Sequence, residues 1–287
     1  MSPTLVTGGT GRLGRLIVER LVARKQRVRI LTRRPEAARA LFGTAVEIAA
    51  GAFADRTSLD AAAQGARRLL LLSPISEGLA ADQIAMANAA QAAGVGRIVK
   101  ISGSAWTIDP PGISISGDAH ASVERHLRHL SLESVSLRPN AWMQVSLTNT
   151  IRQVLAGNPV TAGNLDAGVG YIDARDIADV AVHLLLADQI TGDALTLTGP
   201  EMKTPRQIAA LLSTALERPV AAIEKAAPVA SPDSDFEHRA VAQFARLIAA
   251  GRAAVTTNVV ASLLGRPPRG VQAFILDHVA AQAALPG

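Results

Sequence analysis

Residues 4–14 read TLVTGGTGRLG, which opens the chain with a short apolar strand, a glycine turn and the start of a helix. The three spaced glycines are typical of a dinucleotide-binding turn in this context. Gly8 allows the sharp turn, Gly11 leaves room where a pyrophosphate approaches, and Gly14 lets the helix lie close to the sheet. The start of the helix would receive the phosphates. The stretch therefore predicts a dinucleotide site.

The composition indicates a globular protein with a sizeable core. The chain has 287 residues, is 48% hydrophobic and 18% charged, and carries a net charge of +5. This length fits one large domain, or one domain with a smaller appendage. No stretch approaches the roughly 20 apolar residues that span a bilayer, and no secretory signal is evident. We therefore expect a cytoplasmic protein without a membrane partner. The absence of cysteine excludes disulfides and thiolate sites.

The basic charge does not indicate nucleic-acid binding. The arginines are scattered, and their densest cluster, at 27–34, lies on and just after the second predicted strand. Aromatic residues, at 3%, leave little to stack on bases. We expect a small-molecule substrate and no nucleic-acid partner, and a homodimer is compatible with the sequence.

Short apolar strands alternate with helices over the first two hundred residues. This alternation predicts a Rossmann-type, doubly wound parallel sheet with ligands at the carboxyl ends of its strands. The predicted strands are 5–7, 28–31, 46–49, 69–72, 98–101, 135–137 and 194–198. We predict a dinucleotide-binding domain over 1–200, with a cap-forming insert near 140–170. A small, mostly helical substrate lobe is expected over 201–287.

The residues after the second strand favour NADP(H) over NAD. An NAD site usually places an acidic residue there for the ribose 2′-hydroxyl. Here Arg33 and Arg34 follow the strand, and no carboxylate comes before Glu36. Guanidinium groups suit a 2′-phosphate, and Arg12 could close on it from the glycine turn. The alternative is that Arg33 and Arg34 are a solvated helix start. The predicted cofactor-binding residues are Gly8, Thr10, Gly11, Arg12, Leu13, Gly14, Arg33, Arg34, Phe53, Leu72, Ser73 and Pro74.

Seven segments together resemble the NmrA-like atypical short-chain dehydrogenases, which include NADPH-dependent quinone and azo reductases. They are TGGTGRLG at 7–14, LTRRPE at 31–36, RIVKISGS at 97–104, HASVE at 120–124, LRPNAWMQ at 137–144, YIDARDIADVA at 171–181 and LLGRPPRGVQAF at 263–274. The glycine motif alone marks only the superfamily, whereas the YIDARDIADVA and GRPPR segments are more specific. The resemblance implies an extended Rossmann core, NADP(H) and a C-terminal substrate lobe.

The chain departs from ordinary short-chain dehydrogenases in its catalytic residues. Those enzymes use Tyr-x-x-x-Lys, in which the lysine lowers the tyrosine pKa. The one tyrosine here, Tyr171, precedes Arg175 by four residues, on a segment that the family uses structurally. His120 stands at the usual catalytic position and is the best remaining proton donor, with a pKa expected near neutral. The alternative is a helix-start histidine held by Glu124.

Further polar and aromatic residues complete the predicted site. Ser102 ends the fifth strand, where the superfamily keeps a substrate-orienting serine, and it could equally be a turn hydroxyl. His126 and His129 stand three apart on one predicted helix without a suitably spaced third ligand, so we expect no metal. The residues expected to line a substrate pocket are Trp106, Trp142, Met143 and Phe274.

These features favour an NADPH-dependent reductase that transfers a hydride to a quinone, an enone or a related conjugated compound. A quinone suits a site without a strong acid, because its reduced product is a stabilised phenolate. Two alternatives stay open: a regulator that senses NADP(H) without turnover, and an isomerase or epimerase that retains its nicotinamide. The substrate lobe favours the enzyme, since a sensor needs no substrate pocket.

Overall fold

The computed structural model describes residues 2–231 and 233–283. Its strands are β1 (Thr4–Thr7), β2 (Val28–Thr32), β3 (Glu47–Ala50), β4 (Arg68–Leu71), β5 (Arg97–Ile101), β6 (Glu133–Pro139), β7 (Val160–Ala162), β8 (Ala194–Leu197) and β9 (Ala222–Glu224). Its helices are α1 (Arg12–Ala23), α2 (Pro35–Phe42), α3 (Arg56–Ala63), α4 (Leu79–Ala92), α5 (Ala105–Ile108), α6 (Ile115–Leu127), α7 (Met143–Leu155), α8 (Ala174–Leu186), α9 (Pro205–Ala215), α10 (Phe236–Ala249), α11 (Val259–Leu264) and α12 (Val271–Ala283).

The main sheet has seven strands in the order β3-β2-β1-β4-β5-β6-β8. Pairing is parallel from β3 through β6. The order reverses direction at β1, which is the doubly wound arrangement, and the predicted fold class is confirmed. Each strand of this sheet was predicted to within about two residues at either end. A separate pair, β7 with β9, was not predicted. These strands have three residues each, too few for a period-two pattern to register.

Contacts divide the chain into two compact units. The first comprises the chain up to Gly103, residues 115–138 and residues 177–195. The second comprises residues 104–114, residues 139–176 and the chain from Thr196 onward. The sequence-based boundary at residue 200 differs from this division, because segments 104–114 and 139–176 group with the C-terminal part of the chain.

The first unit is built on an apolar core between the sheet and its helices. Leu5, Leu69 and Ile98 from neighbouring strands are fully buried, and they belong to one cluster with Leu59 of α3 and Met86 of α4. Burying a side chain of this size contributes about 1.5–3 kcal/mol. This cluster holds α3 and α4 against β1, β4 and β5.

Arg97 on β5 joins the end of α8 to the sheet within the first unit. Its guanidinium donates to the carbonyl oxygens of Leu184 at 3.0 Å, Asp188 at 3.1 Å and Ala187. It also pairs with Glu133 at 2.6 Å. The last carbonyls of a helix have no intrahelical donor, so a buried arginine satisfies groups that would otherwise lack a partner.

Asp176, at the start of α8, has a similar role in the second unit. Its carboxylate is fully buried, and it accepts from the backbone N–H of Arg269 at 2.6 Å and from the Arg266 guanidinium at 2.8 Å. The Arg269 guanidinium forms a further ion pair with the same carboxylate. The GRPPR segment is therefore bound to Asp176 by charge-assisted hydrogen bonds.

Gly14 provides a stability prediction for this fold. A Cβ added at Gly14 would lie 2.1 Å from the backbone oxygen of Gly8, so Gly14→Ala must separate α1 from the turn. We expect a loss of about 3 kcal/mol or more in unfolding free energy, the upper end of overpacking costs. Urea unfolding followed by circular dichroism measures it.

The matched control is Gly96→Ala, because a Cβ there would meet nothing closer than the Arg67 oxygen at 3.8 Å. Equal midpoints for the two variants would contradict the close approach at Gly14.

Candidate active site

The glycine turn forms a cradle that carries no side-chain cap. Gly8 has a φ of +65°, and its Cβ would lie 2.9 Å from the Leu72 oxygen, so the position favours glycine. Gly11 is the N-cap of α1 and supplies no side-chain cap, and the first turn of that helix lacks acidic residues. A helix start of this kind favours an anion. This geometry fits the pyrophosphate of a dinucleotide.

The end of β4 borders the same turn. The Thr7 hydroxyl donates to the Leu72 oxygen at 2.7 Å and accepts from the Leu72 N–H at 2.8 Å. One residue further on, the Ser73 hydroxyl accepts from Nε2 of Gln83 at 2.8 Å. Oε1 of Gln83 is buried, and no described residue bonds to it. An unsatisfied buried acceptor is costly in an otherwise complete structure, which agrees with a bound polar group at this position.

Arg33 and Arg34 follow β2 with exposed side chains. Neither guanidinium forms a hydrogen bond or an ion pair with another residue in the described part of the chain. The charge of Arg33 lowers the pKa of Asp82, although burial, the larger effect, leaves that pKa raised overall. Glu36 is paired with Arg39 at 2.7 Å. Two arginines at the end of β2 and no carboxylate before Glu36 fit a 2′-phosphate.

The other predicted cofactor residues belong to the same unit. Leu13 is buried in the core, Thr10 and Phe53 are half-buried, and Arg12 and Pro74 are exposed. Their contacts to a cofactor stay predictions, which the binding experiments below test.

A buried cluster of charged and polar groups lies at the carboxyl end of β5. Nζ of Lys100 is 2.8 Å from Nδ1 of His120, and Ser102 donates to Oε1 of Glu124 at 2.6 Å. Arg138 on β6 donates from Nε to the same oxygen at 3.1 Å, and its NH2 pairs with Oε2. The side chains of His120 and Glu124 project from α6, which therefore meets both strands through this cluster. Lys100 is fully buried.

Burial controls the protonation of this cluster. It lowers the pKa of Lys100 to about 7, although Glu124 raises that pKa and Arg138 lowers it further. Burial, together with the charge of Lys100, holds the pKa of His120 well below its ordinary value. Burial alone would raise the pKa of Glu124, but hydrogen bonds from Arg138 and Ser102 hold it low. Near neutral pH, Glu124 is thus ionised, His120 is neutral and Lys100 titrates.

Two sequence-based expectations about His120 are therefore wrong. Its pKa does not lie near neutral, because a desolvated imidazole beside an ammonium group resists a second charge. The residue stands inside α6 instead of at its start, and its Nδ1 atom contacts Lys100 instead of Glu124. Nε2 of His120 has no hydrogen-bond partner among residues 2–231 and 233–283, and the residue is 7% exposed.

Sequence reasoning missed Lys100 and Arg138. The available signal was a lysine inside the apolar strand RIVKI, in a sheet expected to be covered on both faces. The sequence leaves open whether Ser102 is a substrate-orienting serine or a turn hydroxyl. In the structure its hydroxyl is bonded to Glu124.

Tyr171 lies in the second unit and has no acidifying partner. Burial raises its pKa to about 12. Arg175, four residues later, is bonded to Asp173 at 2.7 Å and to Asp277 at 3.1 Å. A phenol with a raised pKa is a poor proton donor at neutral pH, and this agrees with a structural role for the segment.

The four residues predicted to line a substrate pocket also lie in the second unit. Trp106, Met143 and Phe274 belong to its buried core cluster, whereas Trp142 is half-buried. Trp106 packs edge-on against Phe244, with ring centroids 6.1 Å apart. This burial indicates that three of the four contribute to packing, and their substrate contacts stay predictions.

A cavity of about 280 Å³ lies within the second unit. Tyr171 lines it together with Ser146, Thr150, Asn164 and Ile208, and none of its lining residues is charged. None of the four predicted substrate residues lines it.

His126 and His129 are not arranged as metal ligands. Nε2 of His126 is 2.7 Å from Oδ1 of Asn88. His129 lies beyond the end of α6, so the two histidines do not share a helix as predicted. In the described ranges, no three His, Asp or Glu side chains form a group that could hold a metal ion. No helix there is long and apolar enough to cross a membrane.

The doubly wound sheet, the uncapped glycine turn and the arginines after β2 define a Rossmann-type nucleotide-binding protein. The model of the NmrA-like family matches residues 2–231. The chain belongs to the NmrA-like family.

Two relatives match almost the whole chain. A (4-alkanoyl-5-oxo-2,5-dihydrofuran-3-yl)methyl phosphate reductase from Streptomyces griseus is 33% identical, over 97% of this chain and 99% of its own. An NAD(P)H azoreductase from Xenophilus azovorans is 29% identical, over 98% and 99% of the two chains. The solved structure of an NADPH-dependent quinone oxidoreductase from Escherichia coli, complexed with NADPH, covers 98% of this chain and 99% of its own. It has a TM-score of 0.83 at 22% identity, which confirms the fold.

Gly11 tests the cradle separately from the fold. A Cβ at Gly11 would meet only the Gly8 oxygen, at 3.3 Å, and its φ of −80° suits any residue. We expect Gly11→Val to fold normally and to lose NADPH binding, because the larger side chain occupies the space that a pyrophosphate needs. Calorimetry with NADPH and a thermal melt measure the two properties. Unchanged NADPH affinity in a folded Gly11→Val protein would contradict a nucleotide site at this turn.

Proposed function

We propose that this protein is an NADPH-dependent reductase that delivers a hydride to a quinone, an enone or a related conjugated small molecule. The observation that carries the proposal is the uncapped glycine turn together with two exposed arginines after β2 that form no ion pair with any described residue. The relatives support the reaction type, since those reported above are named as reductases that act on conjugated compounds or dyes. We propose a cytoplasmic location.

The first unit supplies the groups that would hold the cofactor. The start of α1 would bind the pyrophosphate, Arg33 and Arg34 the 2′-phosphate, and Gln83 a polar group beside Ser73. When bound, NADPH supplies a hydride to the acceptor. The protein has to position that acceptor, exclude water and provide one proton.

His120 is the proposed proton donor to the reduced substrate. The Nε2 atom is available for this role because Nδ1 faces Lys100. The imidazole is neutral, so an acceptor whose reduced form is a stabilised anion suits the site better than a simple ketone. Quinones and enones meet this requirement, because conjugation spreads the charge that the hydride brings.

A reductase and a redox sensor differ in turnover. The experiment is anaerobic stopped-flow oxidation of NADPH against a panel that includes menadione, an azo dye and benzylideneacetone. A reductase oxidises NADPH in proportion to an acceptor, whereas a sensor binds NADPH and oxidises none. NADPH binding without oxidation by any panel member would contradict the proposal.

Cofactor preference tests the role of Arg33. A charge-assisted hydrogen bond to the 2′-phosphate contributes about 1.5–3 kcal/mol, which is roughly a ten- to hundredfold preference for NADPH over NADH. Arg33→Ala should remove most of this preference by weakening NADPH binding alone, because NADH has no 2′-phosphate. Arg34 could retain part of it. Added salt should weaken NADPH binding more than NADH binding.

The ratio of dissociation constants in the wild type and in Arg33→Ala provides the measurement. Arg39→Ala is the matched control, since Arg39 is an exposed arginine on α2 that pairs with Glu36. A wild-type ratio near one would contradict the preference for NADP(H).

Substitution of His120 tests the proton donor. We expect His120→Ala to lower turnover by about 10²–10⁴, the range of general acid catalysis, and more for benzylideneacetone than for menadione. Steady-state rates with both substrates provide the measurement, with His126→Ala as a control on the same helix. Equal rates in the wild type and in His120→Ala with both substrates would exclude this role.

A further inference from the structure

Lys100 is a fully buried cationic group that the proposed reaction leaves unused. Its side chain has no exposed surface, and Nζ contacts Nδ1 of His120 at 2.8 Å and the Ile101 oxygen at 3.3 Å. Placing an ammonium group in a protein core is costly unless it is paired. Strongly perturbed groups of this kind concentrate at functional sites.

We propose that Lys100 is the source of the proton that His120 passes to the reduced substrate. This inference rests on the proposed function, since it requires a hydride acceptor that gains one proton per turnover. Lys100 acts through His120 and is a positioning residue in this reaction, whereas His120 is the group that touches the substrate.

The contact between Nζ of Lys100 and Nδ1 of His120 defines the proton path. The ammonium of Lys100 donates to Nδ1 of His120, which fixes the tautomer with the proton on Nε2. When the substrate gains a hydride, and with it two electrons, its anion takes the proton from Nε2. Nδ1 takes a proton from Nζ in the same step, so the N–H bonds at Nζ and Nε2 break and those at Nδ1 and on the substrate form. The cofactor is oxidised, the substrate is reduced, and Lys100 is left as a neutral amine.

The relay explains how His120 can donate a proton although its imidazole is neutral. An imidazolium is disfavoured at this position because burial and the charge of Lys100 both oppose it. A neutral imidazole can still transfer a proton when a second acid replaces that proton in the same step. Solvent regenerates the ammonium through His120, a residue that is 7% exposed, whereas Lys100 has no exposed surface.

The charges around Lys100 shift its pKa in opposite directions. Glu124, bonded to Ser102 and Arg138, favours the ammonium form, and the guanidinium of Arg138 opposes it. Burial is the largest effect and leaves the pKa of Lys100 at about 7. An acid with a pKa near the working pH is the most effective proton donor.

The first experiment compares pH profiles of the wild type and of Lys100→Met, which keeps the length of the side chain and cannot titrate. The ammonium is the active form, so wild-type kcat with benzylideneacetone should be highest below pH 7 and fall about tenfold between pH 6 and pH 8. Lys100→Met should lose about 10²-fold in kcat at pH 6 and show a flat profile. Its KM should change little. Lys225→Met, which removes an exposed lysine in the second unit, is the control and should retain the wild-type profile.

The second experiment measures the protonation states of Lys100 and His120 by NMR, without cofactor or turnover. The chain has four lysines, so spectra of protein labelled with [13Cε]lysine are simple, and the signal missing from Lys100→Met identifies Lys100. We expect that signal to titrate near pH 7, whereas the others titrate near the ordinary value of about 10.4. Nitrogen spectra of His120 should show an unprotonated Nδ1 below pH 7 and a loss of that tautomer preference in Lys100→Met.

The outcomes separate this inference from the proposed function. If the wild type oxidises NADPH but Lys100→Met keeps the sloping profile, the relay is wrong and the reductase stands. A Lys100 signal that stays protonated above pH 9 would also overturn the relay, because the lysine would then be a permanent ion-pair partner of Glu124. If no acceptor oxidises NADPH, the proposed function fails and the relay fails with it. A thermal melt of Lys100→Met matching the wild type assigns its kinetic loss to chemistry instead of to folding.

Discussion

The carboxylate of Glu124 fixes the groups around the end of β5. It accepts from Ser102 on one side and from Arg138 on the other, and in this way it binds α6 to β5 and β6. Because it stays ionised, it also offsets the charges of Arg138 and Lys100, which would otherwise repel each other in a desolvated site. His120 stands one turn earlier on the same helix. Its contact with Lys100 therefore depends on an anchor that itself transfers no proton.

Packing requires a glycine at Gly14 of the N-terminal turn more strictly than at Gly11. Gly14 is required by packing, since a Cβ there would overlap the backbone of Gly8. At Gly11 a Cβ would meet only the Gly8 oxygen, at 3.3 Å, so a small shift of the turn admits it and packing demands a glycine much less than at Gly14. Gly11 lies in a turn with no capping side chain and is not explained by packing. It therefore indicates a ligand more directly than Gly14, which packing requires.

Local patterns in the sequence were enough to predict the main sheet, the glycine turn and the arginines after β2. Each of these depends on residues that are close together along the chain. The environment of His120 could not be predicted in this way, because its low pKa arises from Lys100, twenty residues earlier, and from burial that only the folded unit creates. The pairing of β7 with β9 joins segments about sixty residues apart. For Trp106, Met143 and Phe274, hydrophobicity alone could not distinguish a pocket wall from a core.

The bond between Asp176 and the GRPPR segment has a consequence for the order of events during synthesis. The chain alternates between the two units, and the first has all of its segments once residue 195 has emerged. Arg266 and Arg269, the partners of Asp176, are synthesised about ninety residues after it. Because a chain is made from its N-terminus, the nucleotide-binding unit can form on the ribosome while the second still has a buried carboxylate without its partners. Chains that terminate before residue 266 would therefore contain every segment of the nucleotide-binding unit but lack both arginines that bond to Asp176.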